Sequence, residues 1–295
     1  MAFTELQPDK LFDHRYEILE ELGRGSFAQV CLAQDRILGD RFVIKKLIPT
    51  FKAEEHRERA INLFKREAMV LYRLRDYPQI PQFFGYDHEK YYLIEELIEG
   101  HELSVETKEQ WSERQVFIFL KDVLQTLEVV HQNKFIHRDL NPRNLMRRKS
   151  DGKIIMIDFG TVTIDADDKS AFAGTPKYTA PEQMNGDSKI NSDIYSVGLM
   201  AIQFLTGKEP KKLKQNDQSE FMWKDQIAIN PKLASIITKM VKDDYRDRQE
   251  TAQEVLTELN QLQISDIPEI AVPEPQSEEE LMAAELNSLL NRRSI

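Results

Sequence analysis

The chain has 295 residues and a mass of 34.5 kDa, with 41% hydrophobic residues, 31% charged residues and a net charge of -10. That is enough apolar material for two lobes around a cleft or for one large domain. The acidic balance argues against a phosphate-backbone binder, so no nucleic-acid partner is expected. The single cysteine, Cys31, excludes an internal disulfide, and its place in an apolar strand pattern predicts a buried thiol. The N-terminus shows no apolar run with a basic flank, and no stretch approaches ~18 apolar residues, so a cytoplasmic protein without a membrane span is expected.

Residues 1–15 carry little pattern and read as an N-terminal extension. From Tyr16 to about Leu47, apolar alternation interrupted by a Gly-rich turn predicts three antiparallel strands joined by tight turns. From Ala53 to Arg75, Ile61, Phe64, Ala68, Leu71 and Leu74 recur at helical spacing. KYYLIEELIEG then reads as a further strand that ends the sheet-rich part at Gly100.

Beyond Gly100 the pattern turns helical. A stripe through Val116, Phe119, Leu120, Val123, Leu124, Leu127 and Val130 follows Ser112, with Gln115 in capping-box position. Further stripes lie in DIYSVGLMAIQFLTG, PKLASIITKMV and TAQEVLTELNQLQ. The expected class is α+β: an antiparallel-sheet N-lobe with one main helix over about 16–96, and a helical C-lobe over about 101–264. A hinge is expected near Leu97 to Gly100. From Ser265 onward, seven acids against two bases give the tail -5 of the total charge. Residues 265–295 read as an acidic, Pro-rich linker and a short amphipathic helix. That helix is either a frayed terminus or an element that docks on the domain or on a partner.

The chemistry lies in a few clusters. Gly23 and Gly25 open a turn between two predicted strands, where glycine lets backbone N–H groups approach phosphate oxygens. A functionless hairpin would look the same, but strand–turn–strand does not fit a dinucleotide fingerprint. Lys45 sits in the mostly apolar strand RFVIKKL, and an inward ammonium there needs a counter-charge, which Glu67 on the following helix can supply. The plain alternative is that Lys45 and Lys46 are solvated on an edge strand. His137-Arg138-Asp139-Leu140-Asn141-Pro142-Arg143-Asn144, an apolar run and Asp158-Phe159-Gly160 complete the set. Phosphoryl transfer needs an acceptor for the hydroxyl proton, oxygen ligands for Mg²⁺ and a cation on the nucleotide phosphates. Asp139, Asn144, Asp158 and Lys45 are of those types.

In these motifs, from about Tyr16 to Leu262, the chain resembles the eukaryotic-type protein kinases, a family also common in bacteria. The resemblance implies a two-lobed protein kinase fold that transfers the γ-phosphoryl of ATP to Ser or Thr hydroxyls of proteins, with Mg²⁺, or alternatively Mn²⁺, as cofactor. It makes Asp139 the catalytic base and Asn144 and Asp158 the metal ligands. It sets Lys45, paired with Glu67, on the α- and β-phosphates. Leu22, Gly23, Gly25, Val30 and Val43 would cover the nucleotide, and the backbone around Glu96 and Ile98 would bind the adenine edge. His137 resembles a structural residue, Arg138 an arginine that receives an activation-loop phosphate such as one on Ser170, and Asp193 a brace for the catalytic loop. Gly174 to Glu182 resembles the end of an activation segment, with Glu182 paired to Arg248. That platform favours a protein substrate over a small molecule.

The chain departs from the family pattern at four places. Ala28 replaces a third loop glycine, Asn141 stands where Ser/Thr kinases place a lysine, and Glu95 puts an acid behind the adenine position, where it needs a partner. Pro176 to Glu182 has some tyrosine-kinase character, whereas Thr175 and Asn141-Pro142 fit the Ser/Thr type. A pseudokinase scaffold is the alternative, against which stand Lys45, Asp139, Asn144 and Asp158, all present.

Overall fold

The computed structural model describes residues 5–25, 27–48, 54–164, 174–216 and 220–262. The expected linker and terminal helix after residue 264, and Ser170, lie outside them.

The strand alternation between Tyr16 and Leu47 forms β2 (Tyr16–Arg24), β3 (Ala28–Asp35) and β4 (Arg41–Leu47). With β1 (Leu11–Phe12), β5 (Phe83–Asp87) and β6 (Tyr92–Glu96) they make a six-stranded antiparallel sheet in the order β1-β2-β3-β4-β6-β5. Strand β4 is therefore internal. Lys45 and Lys46 are both buried, which removes the solvated edge-strand alternative. Helix α1 (Glu54–Leu74) lays Ala60, Phe64, Glu67, Ala68 and Leu71 on its buried face, close to the bounds that the periodicity predicts.

The outer face of the sheet holds a small core of its own. Leu6, Tyr16, Ile18, Cys31, Ala33, Ile44, Tyr92 and Ile94 cluster there, so residues 5–15 form part of the packing. Gln29 clasps this strap at both backbone polar groups of one residue: its Oε1 accepts from the Leu6 N–H at 2.8 Å and its Nε2 donates to the Leu6 carbonyl at 3.0 Å. Cys31 is fully buried, and burial pushes its thiol up to about 11.

Sheet structure also continues past Gly100, in pieces too short to show alternation. Strands β7 (Gly100–Glu102), β9 (Leu145–Arg148) and β10 (Ile154–Met156) pair in the order β10-β9-β7, and β8 (Phe135–Ile136) pairs with β11 (Thr163–Ile164). Gly100 is required here, because a Cβ at that position would stand 2.0 Å from the Arg147 carbonyl oxygen. The close approach ties the hinge to β9.

The helical lobe is built on α2 (Glu113–Gln132), α3 (Pro181–Met184), α4 (Ile190–Thr206), α5 (Pro231–Met240) and α6 (Ala252–Asn260). Ser112 caps α2 in a reciprocal box with Gln115, as the spacing predicts. Helix α4 is buried from Asn191 to Leu205, and Trp111 stacks on its Phe204 at 4.0 Å between ring centroids. A helix buried all round in this way serves as the axle of the lobe. No helix among the described residues is long and apolar enough to cross a membrane.

Candidate active site

The cleft begins with a charge problem in β4. Lys45 lies between Val30 of β3 and Leu93 of β6 in the strand register, and its ammonium is buried. Glu67 reaches it from α1 at 2.6 Å, Glu95 from β6 at 3.4 Å and Asp158 at 3.7 Å. Burial alone would lower the Lys45 pKa, but the three carboxylates hold it well above its ordinary value. The acids respond in opposite directions. Burial pushes Glu67 up to about 7 and raises Glu95, against the pull of Lys45, whereas Lys45 overcomes burial at Asp158 and lowers it. The partner that Glu95 needs is thus Lys45 itself.

The loop from His137 to Asn144 is fixed from below by one side chain. Asp193, fully buried near the start of α4, accepts from the backbone N–H of His137 and of Arg138, both at 2.8 Å. Its Oδ2 also lies 3.0 Å from His131 Nε2 on α2, a partner that the motifs did not reveal. Arg138 and Asp158 hold positive φ of 71° and 61°, a region that non-glycine residues occupy at a cost and that concentrates at functional sites. His137 packs its ring on Phe159 at 5.0 Å, consistent with a structural residue.

Asp139 is clamped from three sides. Thr175 donates to its Oδ1 through both the backbone N–H at 2.8 Å and Oγ1 at 2.7 Å. Asn144 Nδ2 donates to its carbonyl at 2.8 Å and to Oδ2 at 3.1 Å. Asn141 Nδ2 lies 3.1 Å from Oδ1 and 3.2 Å from Thr175 Oγ1, so this residue braces the aspartate where a lysine is usual. Burial raises the Asp139 carboxyl above its ordinary value in spite of the Thr175 bonds, and the Asp158 charge adds to the rise. A carboxyl raised toward neutrality is a better proton acceptor.

Around these groups lie the expected nucleotide contacts. Leu22 is exposed at the end of β2, Val30 is half-buried and Val43 is buried opposite Glu95. The Glu96 N–H donates to Gln82 at 2.9 Å, while among the described residues the Ile98 N–H has no backbone partner. A Cβ at Gly23 would meet nothing within 4 Å, so packing within the protein does not require glycine there. Asp158 is half-exposed at the cleft, and together with the Asn144 amide it offers hard oxygen donors. Among the described residues no group of three or more His, Cys, Asp or Glu is arranged to hold a metal. A site of one carboxylate and one amide fits Mg²⁺, which takes few protein ligands and completes its shell with water and substrate phosphates.

On the platform side, Glu182 and Arg248 form a buried fork, with NH1 and NH2 at 2.7 and 2.9 Å from the two carboxylate oxygens. Fold and cleft together define a two-lobed scaffold around a charged cleft. The chain belongs to the protein kinase domain family, which it matches over residues 16–261. It is 36% identical over 264 residues to serine/threonine-protein kinase B of Synechocystis sp., covering 83% of this chain and 46% of that protein. To serine/threonine-protein kinase C of the same organism it is 38% identical over 259 residues, covering 82% and 48% respectively. With serine/threonine-protein kinase PknA of Nostoc sp. the identity is 35% over 287 residues, 91% of this chain and 51% of that one. The chain spans about half the length of these curated relatives.

Proposed function

We propose that this chain is a Ser/Thr protein kinase that transfers the γ-phosphoryl of Mg-ATP to protein hydroxyls, its own among them. The observation that carries the reading is the clamp on Asp139, held by Thr175, Asn141 and Asn144 beside the Lys45–Glu67 pair. In this reading residues 16–264 are the catalytic domain, acting in the cytoplasm. Leu22, Gly23, Gly25, Val30, Val43 and the Glu96 and Ile98 backbone take the nucleotide, and Lys45 takes its α- and β-phosphates. Asn144 and Asp158 would hold the magnesium, which supplies charge neutralisation on the phosphates.

The acceptor oxygen forms a bond to the γ-phosphorus as the bond from that phosphorus to the β,γ-bridging oxygen breaks. The hydroxyl proton passes to the Asp139 carboxylate, and ADP leaves with the electron pair. Thr175 and Asn141 keep that carboxylate from turning away from the acceptor. Preorganisation of this kind lowers the barrier without reorganisation during the step.

The test is transfer of labelled γ-phosphate to a generic protein and to the chain itself, wild type beside Asp139→Asn. Label on serine or threonine, reduced at least ~100-fold in the variant, is the expected result. A folded wild type that labels neither protein overturns the reading.

A further inference from the structure

A chain of net charge -10 carries a basic cluster beside its candidate catalytic base. Residues 208–214 hold four lysines and one glutamate, and Arg143 and Lys177 add two further cations from other parts of the sequence. Each is tied to Asp139 by short links. Arg143 follows on the same loop, where its backbone N–H donates to Asn141 Oδ1 at 2.9 Å, and Asn141 in turn donates to Asp139. Lys177 lies in the turn closed by the bond from the Tyr178 N–H to the Thr175 carbonyl, and Thr175 also bonds Asp139. Lys177 Nζ reaches Glu209 at 2.7 Å, which brings residues 208–214 to the same edge of the cleft.

The charges converge on one spot. Glu209 feels Lys177, Lys212 and Lys211, and both Glu209 and Arg143 act on the buried Tyr178 hydroxyl. Glu209 is the one acid within residues 208–214, and Lys177 already engages it. Arg143, Lys211 and Lys212 are exposed, and no ion pair among the described residues holds them.

We propose that Arg143, Lys177, Lys211 and Lys212 form a recognition edge that selects acceptor hydroxyls flanked by carboxylates, so that the protein substrate is an acidic peptide segment. The inference rests on the kinase reading of the same site. Exposed charges of this kind act through partner choice and encounter rate more than through the chemical step, and each contributes modestly. The chain supplies a segment of the right chemistry in its own tail, where Ser277 precedes Glu278, Glu279 and Glu280.

The experiment uses the full chain and fluorescent peptides spanning residues 271–286, one native, one with its glutamates replaced by Gln and one with them replaced by Lys. Binding is followed by anisotropy, and transfer is measured in parallel. Wild type is expected to bind the native peptide about tenfold more tightly than the Gln peptide, with the preference weakening as salt rises. The double variant Lys211→Glu and Lys212→Glu is expected to lose that preference and gain affinity for the Lys peptide, at unchanged KM for ATP. Arg143→Glu provides a second, separate reduction. Equal binding of the native and Gln peptides by wild type, or a preference that survives in the double variant, overturns the proposal. Binding that discriminates without any transfer refutes the kinase reading alone, because the anisotropy does not depend on turnover.

Discussion

The replacement of Glu95 by Gln tests the electrostatic account of the cleft. Lys45 lies 2.6, 3.4 and 3.7 Å from Glu67, Glu95 and Asp158. At an effective dielectric of about 20, the three attractions are ~6, ~5 and ~4 kcal/mol. Because both acids touch one ammonium, the Glu95 and Glu67 oxygens stand no more than about 6 Å apart, and those of Glu95 and Asp158 no more than about 7 Å. With all groups ionised, the two repulsions are then at least ~3 and ~2 kcal/mol, which offsets what Glu95 gains from Lys45. Its desolvation is left uncompensated, in keeping with the raised Glu95 and Glu67 carboxyls. Glu95→Gln keeps the volume and removes the charge, and Lys45 retains Glu67. Urea unfolding of this variant at neutral pH is therefore expected to give a free energy equal to wild type or higher by up to ~2 kcal/mol. Lys45→Met, which strands three acids, is expected to lose ~3 kcal/mol or more. A loss of more than ~2 kcal/mol for Glu95→Gln would show that Glu95 is a net structural partner of Lys45 and refute the reasoning.

Arg248→Met leaves Glu182 buried without its fork and is expected to cost ~3–5 kcal/mol in urea unfolding, whereas an exposed residue such as Lys211 changed to Ala should cost under ~0.5 kcal/mol. Thr175→Val removes the hydroxyl bond to Asp139 but leaves the backbone bond, so kcat is expected to fall about tenfold or more while KM for ATP holds. Deletion of residues 1–15 uncovers Ile18, Ile94 and Tyr92 and is expected to lower Tm by several degrees, read by calorimetry. Asp13, bonded by Lys90 and Tyr92, has a carboxyl held below its ordinary 3.8, so its contribution is full above about pH 4 and is lost as pH falls through the lowered value. Asp13→Asn should therefore flatten stability against pH below about pH 4 relative to wild type, as followed by circular dichroism.

Much of the cleft was legible because phosphoryl transfer needs particular residue types in a particular order. Lys45, Glu67, Asp158 and the loop that carries both Asp139 and Asn144 come from four separate stretches of sequence, each marked by its own motif. The partners that hold them were less legible. His131 sits on the buried stripe of α2 and looks like any core histidine until Asp193 meets it from α4. The strap at residues 5–15 has no periodicity to read, because two-residue β1 and a lone Leu6 give no pattern, and its role depends on Gln29 more than twenty residues away. Strands β7 to β11 were missed for the same reason: each has two to four residues, shorter than the span over which alternation can be told from chance.

The departures from the family pattern become intelligible when read together as a redistribution of charge. At position 141 an amide replaces the usual cation, and in the structure it binds Asp139 and Thr175 rather than reaching into the cleft. Two residues on, Arg143 presents a cation, but on the exposed side of the loop. A charge moved from the buried to the exposed side of one loop changes its role, because solvent and salt screen it and its effect on the transition state falls. What remains is an effect on which partner approaches. Inside the cleft the shift runs the other way: Glu95 adds a buried carboxylate 3.4 Å from Lys45 and raises the negative excess around it. The bonds of Asp193 to the loop backbone and of Arg248 to Glu182 involve neither Asn141 nor Glu95. The loop's frame is held by bonds from its backbone N–H groups to the Asp193 carboxylate, and Asn141 adds its own bonds to that frame, so the exchange at position 141 leaves the loop anchored.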